Sequence, residues 1–107
     1  MLSTWADLDL SGIHTTTTAD FGMTQADRYI QFLVSEMELI ASMPGLGRRI
    51  AERPGRQSYI AKWPGAKAGH RIVYEVTEES IYVVRILHTA MQYFLYIEDQ
   101  ISMPRDP

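Results

Sequence analysis

Hydrophobic residues in the first half of the chain recur at the spacing of an α-helix. Between Thr24 and Met43 they are separated mostly by three positions and one in turn, so they fall on one helical face. This face consists of Ala26, Tyr29, Ile30, Leu33, Val34, Met37, Ile40 and Ala41. Thr24 suits the amino-terminal cap, and Pro44-Gly45 interrupts the pattern. The sequence therefore predicts a helix over residues 24–43.

A looser apolar stripe precedes this helix. Trp5, Leu8 and Ile13 lie on it, and Thr4 is a candidate cap. The pattern predicts a helix over residues 4–20, although four consecutive threonines in its second half are β-branched and favour helix less. Only a few residues separate the two helices, so we expect an antiparallel αα-hairpin.

The second half of the chain consists of short runs rich in β-branched and aromatic residues. These runs predict strands over residues 57–62, 70–77 and 80–88. The tight connection at Glu78-Glu79 predicts an antiparallel hairpin, and the loop at 63–69 joins the first two strands in the same sense. The last strand is apolar on both faces, so we expect it to be central or covered on both sides.

Residues 90–103 can form a short final helix before Pro104. The chain of 107 residues has the size of one domain, so we expect residues 1–107 to form a single unit. The predicted fold is α+β: an antiparallel αα-hairpin packed on a small three-stranded antiparallel sheet, with a short C-terminal helix.

Composition excludes several classes of function. The chain has no cysteine, which rules out disulfides, thiolate metal sites and cysteine nucleophiles and fits a reducing compartment. No apolar run reaches the ~20 residues that span a bilayer, and the first ten residues do not resemble a signal peptide, so we expect the cytoplasm. His14, His70 and His88 lack metal-ligand spacing, and no glycine-rich nucleotide motif is present, so we expect no metal and no cofactor.

The formal net charge of −3 conceals three segments of different sign. The formal net charge is −5 for residues 1–47, +6 for residues 48–71 and −4 for residues 72–107. A basic middle segment suits nucleic acid or an acidic protein. The alternative is a solvated loop that the acidic helices neutralise.

Two polar residues interrupt the apolar pattern of the last strand. A buried Arg85 must be solvated, paired or used on a partner, because an isolated buried charge is too costly. Glu75 on the neighbouring strand or the C-terminal segment could pair with it. His88 at the strand end could act as a general acid or base, or provide a structural hydrogen bond.

The order of these features resembles the ParE branch of the ParE/RelE superfamily, the toxins of type II toxin–antitoxin systems. The resemblance spans residues 2 to about 95 and rests on Leu2-Ser3, Asp7-Leu8, Ile13, Phe21-Gly22, Gln25-Ala26-Asp27-Arg28-Tyr29, Pro44-Gly45-Leu46-Gly47-Arg48, Arg53-Pro54-Gly55, Gly69-His70-Arg71-Ile72-Val73-Tyr74 and Val84-Arg85-Ile86-Leu87-His88. Family members usually have a strand before the Leu-Ser position, where only Met1 stands here. Either that edge strand is absent or the chain is a shortened product.

The resemblance implies a growth-inhibiting toxin of a plasmid-stabilisation type, held in a hetero-oligomer by a cognate antitoxin whose C-terminal segment wraps over the helices and sheet. It favours a protein-binding toxin that inhibits DNA gyrase, without enzymatic activity. The alternatives are a RelE-like endoribonuclease that cuts messenger RNA on the ribosome, and a non-toxic remnant that only binds antitoxin.

The resemblance also implies site residues. In a ribonuclease, the catalytic residues would be Arg71, Arg85 and His88. The antitoxin is expected to contact the apolar hairpin and the basic residues, because an acidic amphipathic segment complements both. This expected contact set is Leu33, Met37, Arg48, Arg53, Arg56, Arg71 and Arg85.

Overall fold

The computed structural model describes residues 1–51 and 53–90, which form two helices followed by an antiparallel sheet. The helices are α1 (Thr4–Phe21) and α2 (Met23–Ser42), and a 3₁₀ turn follows at Pro44–Leu46. The strands are β1 (Arg48–Arg49), β2 (Arg56–Ala61), β3 (His70–Val76) and β4 (Ile81–His88), in the spatial order β1-β2-β3-β4. The α+β prediction is confirmed; the predicted helix at 90–103 lies outside the described residues, apart from Ala90. No described helix is both long and apolar enough to cross a membrane.

The helix caps differ from those expected. Ser3, rather than Thr4, caps α1, because its hydroxyl accepts a hydrogen bond from the Ala6 amide at 2.9 Å. Gly22 ends α1 and begins α2 in place of the predicted Thr24 cap. Its φ of 91° lies in a region that glycine adopts at little cost, so a single residue reverses the chain between the helices.

The sheet has four strands where three were predicted. The additional strand, β1, has only two residues, and Arg48 and Arg49 pair with Ser58 and Gln57 of β2. Two residues are too few to show an alternating pattern, so the sequence suggested a loop there.

The first residues of the chain pair with the outer edge of β4. Leu2 forms a parallel bridge to Val83 of β4. The Ser3 amide donates to the Val83 carbonyl at 2.9 Å, and the Val83 amide donates to the Met1 carbonyl at 2.8 Å. Residues 1–3 therefore cover the outer edge of β4 at its beginning.

The main core lies between α2 and one face of the sheet. Leu33, Met37 and Ile40 of α2 pack against a sheet face that includes Ile72 and Tyr74. Burying a large apolar side chain contributes about 1.5–3 kcal/mol, so this layer dominates folding. A smaller cluster of Ile50, Val73 and Val84 covers the other face.

A bulge in β4 adapts the strand to this core. Val73 pairs with Arg85, whereas Tyr74 pairs with Val83, so Val84 has no counterpart in the register. As a result Val83 and Ile86, three positions apart, both belong to the helix-side core. Strict alternation along β4 would have placed them on opposite faces.

The buried side chain of Tyr74 links the end of α2 to the sheet. Its hydroxyl donates to the Pro44 carbonyl at 2.6 Å and accepts from the Gly47 amide at 2.9 Å. Gly47 lies so close that a β-carbon there would be 2.8 Å from the Ser58 carbonyl oxygen and would also collide with the Tyr74 hydroxyl. The junction therefore requires glycine at position 47 for space.

We predict that Gly47→Ala lowers the free energy of unfolding by about 1–3 kcal/mol, the usual cost of overpacking. Gly45→Ala is the matched control, because nothing lies within 4 Å of a β-carbon there. Urea denaturation followed by circular dichroism measures both. Equal stability of the two variants would contradict the packing argument.

Candidate partner-binding groove

A single carboxylate joins α1 to β4. Asp9 accepts hydrogen bonds from Arg85 Nε at 2.8 Å, from Arg85 Nη2 at 3.0 Å and from the Ile86 amide at 2.8 Å. The side chains of Asp9 and Arg85 are each only 14% exposed. The Trp5 ring centroid lies 5.8 Å from the Arg85 guanidinium carbon. Asp9 therefore satisfies both the strand arginine and an outward-facing amide of β4.

The predicted ion pair between Arg85 and Glu75 is wrong. Glu75 instead accepts from Arg56 Nε at 3.0 Å, because Arg56 is its direct neighbour across β2 and β3. Arg85 lies on the far side of β3 from Arg56, next to α1. The alternative, the C-terminal segment, lies outside the described residues.

Alpha helix α1, the β2–β3 loop and the end of β4 enclose a groove of about 790 Å³. Leu8, Ile13 and Phe21 line its α1 side, and Trp63 lines the loop side. Leu8 is 59% exposed and Phe21 is 72% exposed, so these large apolar groups are not used by the core. Such a concentration of apolar side chains in a concave surface is typical of a binding site.

An aromatic cluster holds the loop side of the groove in place. The Trp63 ring packs against Phe32 and Tyr29 of α2, with centroid distances of 5.2 and 5.9 Å. Tilted rings at these distances attract each other beyond simple burial. Trp63 thus anchors the β2–β3 loop on α2 and gives the groove a fixed wall.

Two histidines form the polar end of the groove. His70 and His88 are opposite each other across β3 and β4, with ring centroids 5.3 Å apart and nearly perpendicular planes. His70 Nδ1 lies 2.6 Å from the Tyr29 hydroxyl. Burial, assisted by His88 and opposed by Asp9, lowers the pKa of His70 to about 4. His70 is therefore uncharged near neutral pH.

The three candidate ribonuclease residues have different surroundings in the structure. Arg71 is opposite Leu87 on the sheet face away from the helices, and its Nη1 donates to Ser58 Oγ at 3.1 Å. His88 is opposite His70 on the helix side, where His70 contacts Tyr29. Arg85 is bound by Asp9. The structure therefore places Arg71 and His88 on opposite faces of the sheet and engages Arg85 with Asp9.

The expected antitoxin-contact residues differ in their exposure. Leu33 and Met37 are buried in the core, because the periodic face of α2 packs on the sheet; this corrects their assignment to a partner surface. Arg48 is exposed on β1, and Arg53 lies in the turn after it. Arg56 and Arg71 are half-buried on β2 and β3, and Arg85 lies against α1.

Sequence reasoning missed the groove itself. The sequence feature that could have indicated the groove is the loose apolar stripe of α1. Only Ala6 of that helix is fully buried, so Leu8 and Phe21 remain outside the core. Trp63 both packs against Tyr29 and Phe32 and lines the groove, and nothing in the residues around it indicates the second role. The partnership of Asp9 with Arg85 connects residues 76 positions apart and leaves no local pattern.

We predict that Asp9→Ala lowers the free energy of unfolding by about 3 kcal/mol, because the buried Arg85 guanidinium and the Ile86 amide lose their shared hydrogen-bond acceptor. Asp7→Ala is the matched control on the same helix: Asp7 is exposed and interacts mainly with the helix dipole, so its loss costs less than about 1 kcal/mol. Chemical denaturation compares the two. A cost for Asp9→Ala no greater than that for Asp7→Ala would contradict the role given to the junction.

Comparison with known proteins places the chain among toxins. Residues 1–93 match the family described as ParE toxin of type II toxin-antitoxin system, parDE. Two curated relatives named Toxin ParE1, from Mycobacterium tuberculosis strains CDC 1551 and H37Rv, are each 34% identical over 93 residues, covering 85% of this chain and 89% of theirs.

A solved structure supports the same architecture. It is titled "Chromosomal ParDE TA system from P. aeruginosa" and has a TM-score of 0.66 at 21% identity, covering 81% of this chain and 90% of that chain. At this identity the match supports the fold.

Proposed function

The chain belongs to the ParE toxin family of type II toxin–antitoxin systems, and from this premise we propose that it inhibits growth and is neutralised by a cognate antitoxin that binds the groove. The exposed apolar side chains of Leu8 and Phe21 are the observation that supports this most directly. A groove of this shape suits the apolar face of an amphipathic segment.

Electrostatics supports an acidic partner. Arg48 and Arg49 are both exposed on the edge strand β1. They belong to residues 48–71, whose formal net charge is +6. Complementary charges accelerate association and orient the partner more than they add affinity. We propose that acidic residues of the antitoxin contact this basic edge, while its apolar residues enter the groove.

We predict that Phe21→Ser weakens antitoxin binding at least tenfold, measured by isothermal titration calorimetry, because it removes apolar contact area from the groove. Met23→Ser is the matched control: Met23 is 64% exposed, close to Phe21 in the chain, and outside the groove lining. It should bind like the parent. Equal loss in both variants, or in neither, would contradict docking in the groove.

The proposed target is DNA gyrase. What supports a protein target over messenger RNA is the separation of Arg71, Arg85 and His88, together with the ion pair of Arg85 and Asp9. Stabilising the transition state of phosphodiester cleavage requires such groups to surround one phosphate. We therefore propose that the toxin acts by binding a protein.

We predict that the purified chain lowers the supercoiling activity of purified gyrase in a concentration-dependent manner. His88→Ala should inhibit as well as the parent, since the proposed mechanism uses no general acid. Unchanged supercoiling at excess protein would exclude gyrase. New cuts in translated messenger RNA would instead support the ribonuclease alternative, and normal growth after induction without antitoxin would support the non-toxic remnant.

A further inference from the structure

The two histidines at the end of the groove carry their proton on the same ring nitrogen. His88 Nδ1 accepts a hydrogen bond from the Ala90 amide at 3.0 Å, so its neutral ring carries the proton on Nε2. For His70 we assign the Tyr29 hydroxyl as donor to Nδ1, because within the described residues this nitrogen is the acceptor that the hydroxyl proton can reach. His70 then also carries its proton on Nε2.

Both Nε2–H groups are available to a molecule in the groove. Both histidines line it, and within residues 1–51 and 53–90 neither Nε2 atom has a hydrogen-bond partner. Two adjacent donors among mostly apolar walls would be left unsatisfied by a purely apolar occupant that excluded water. Such an occupant would lose free energy for each donor it desolvates.

The charges that face this point disfavour an anion. Asp9 and Arg85 neutralise each other, and Asp20 adds a second carboxylate on the α1 side. The loop residues that line the groove are all uncharged: Trp63, Pro64, Gly65, Ala66, Ala68 and Gly69. Because Arg85 is already bidentate to Asp9, an incoming carboxylate would find negative charge and no available cation. A neutral carbonyl would find two N–H donors.

We propose that His70 and His88 form a recognition site for the side-chain amide of an asparagine or glutamine, presented by the antitoxin segment that lies in the groove. We take the docked segment to be an amphipathic helix, the form that lays an apolar face in a groove, so its backbone carbonyls are already paired and the acceptor comes from a side chain. One polar contact in an apolar groove fixes the position of the segment along its length. This site depends on the proposed docking of the antitoxin and specifies its chemistry.

The test measures the affinity of the full-length chain for its cognate antitoxin by calorimetry. His88→Phe keeps a ring and removes the donor, so affinity should fall about tenfold. His88→Gln should stay within about threefold of the parent, because its amide N–H still donates. His14→Phe is the matched control, since His14 pairs with Asp27 outside the groove, and it should bind like the parent.

Each outcome has a distinct meaning. If the parent chain binds no antitoxin, the proposed function fails. If the parent binds and His88→Phe binds equally well, the recognition site is overturned while the docking stands. If His88→Gln is as weak as His88→Phe, restoring an N–H donor does not restore affinity, so the N–H group does not carry the contact, which also overturns the proposal.

A second measurement tests the preference for a neutral acceptor. Histidine ring ¹⁵N resonances of the free chain are followed during titration with acetamide, and separately with sodium acetate against sodium chloride. Acetamide should shift the Nε2 resonances of His70 and His88 and leave those of His14 unchanged. No shift with acetamide, or a larger shift with acetate, would overturn the proposal.

Discussion

The position of α1 depends on the carboxylate of Asp9. Helix α2 is held by a continuous apolar face, whereas α1 buries only Ala6 completely and packs Leu10 and Ile13 partly against the core. The three hydrogen bonds from Arg85 and the Ile86 amide add a directional attachment to this weaker apolar one. They also satisfy an amide of β4 that would otherwise be a free edge group. With this junction in place, α1 leaves Leu8 and Phe21 exposed.

The functional surface follows from that junction. Because α1 is fixed at the edge of β4 instead of being packed flat on the core, a groove remains between the helix, the β2–β3 loop and the two histidines. The same contact occupies Arg85, one of the groups that a phosphodiester-cleaving site on this sheet would need. One ion pair thus both positions α1 beside the groove and occupies Arg85. The proposal of a toxin that acts and is inhibited through protein contacts rests on these two features.

The sequence predicted the parts of the fold that rest on local periodicity. The 3.6-residue pattern located α2 within one residue at each end, and the β-rich runs located β2, β3 and β4. Local periodicity could not show β1, which has only two residues. Nor could it show the bulge at Val84, which changes the strand register without any turn residue. The same periodicity misled the site assignment, since the apolar face of α2 that includes Leu33 and Met37 is the core itself. Long-range polar pairs such as Asp9 with Arg85 have no local signal, so the groove could only be recognised from the folded chain.

The most direct test of this account is a crystal structure of the chain bound to its cognate antitoxin. The account predicts an amphipathic antitoxin segment in the groove, with apolar side chains on Leu8, Phe21 and Trp63, and with the contact between Asp9 and Arg85 retained. An antitoxin that lies only on the outer face of the sheet and leaves the groove empty would contradict it. Arg85 released from Asp9 and bound to an antitoxin carboxylate would contradict the structural role of the junction.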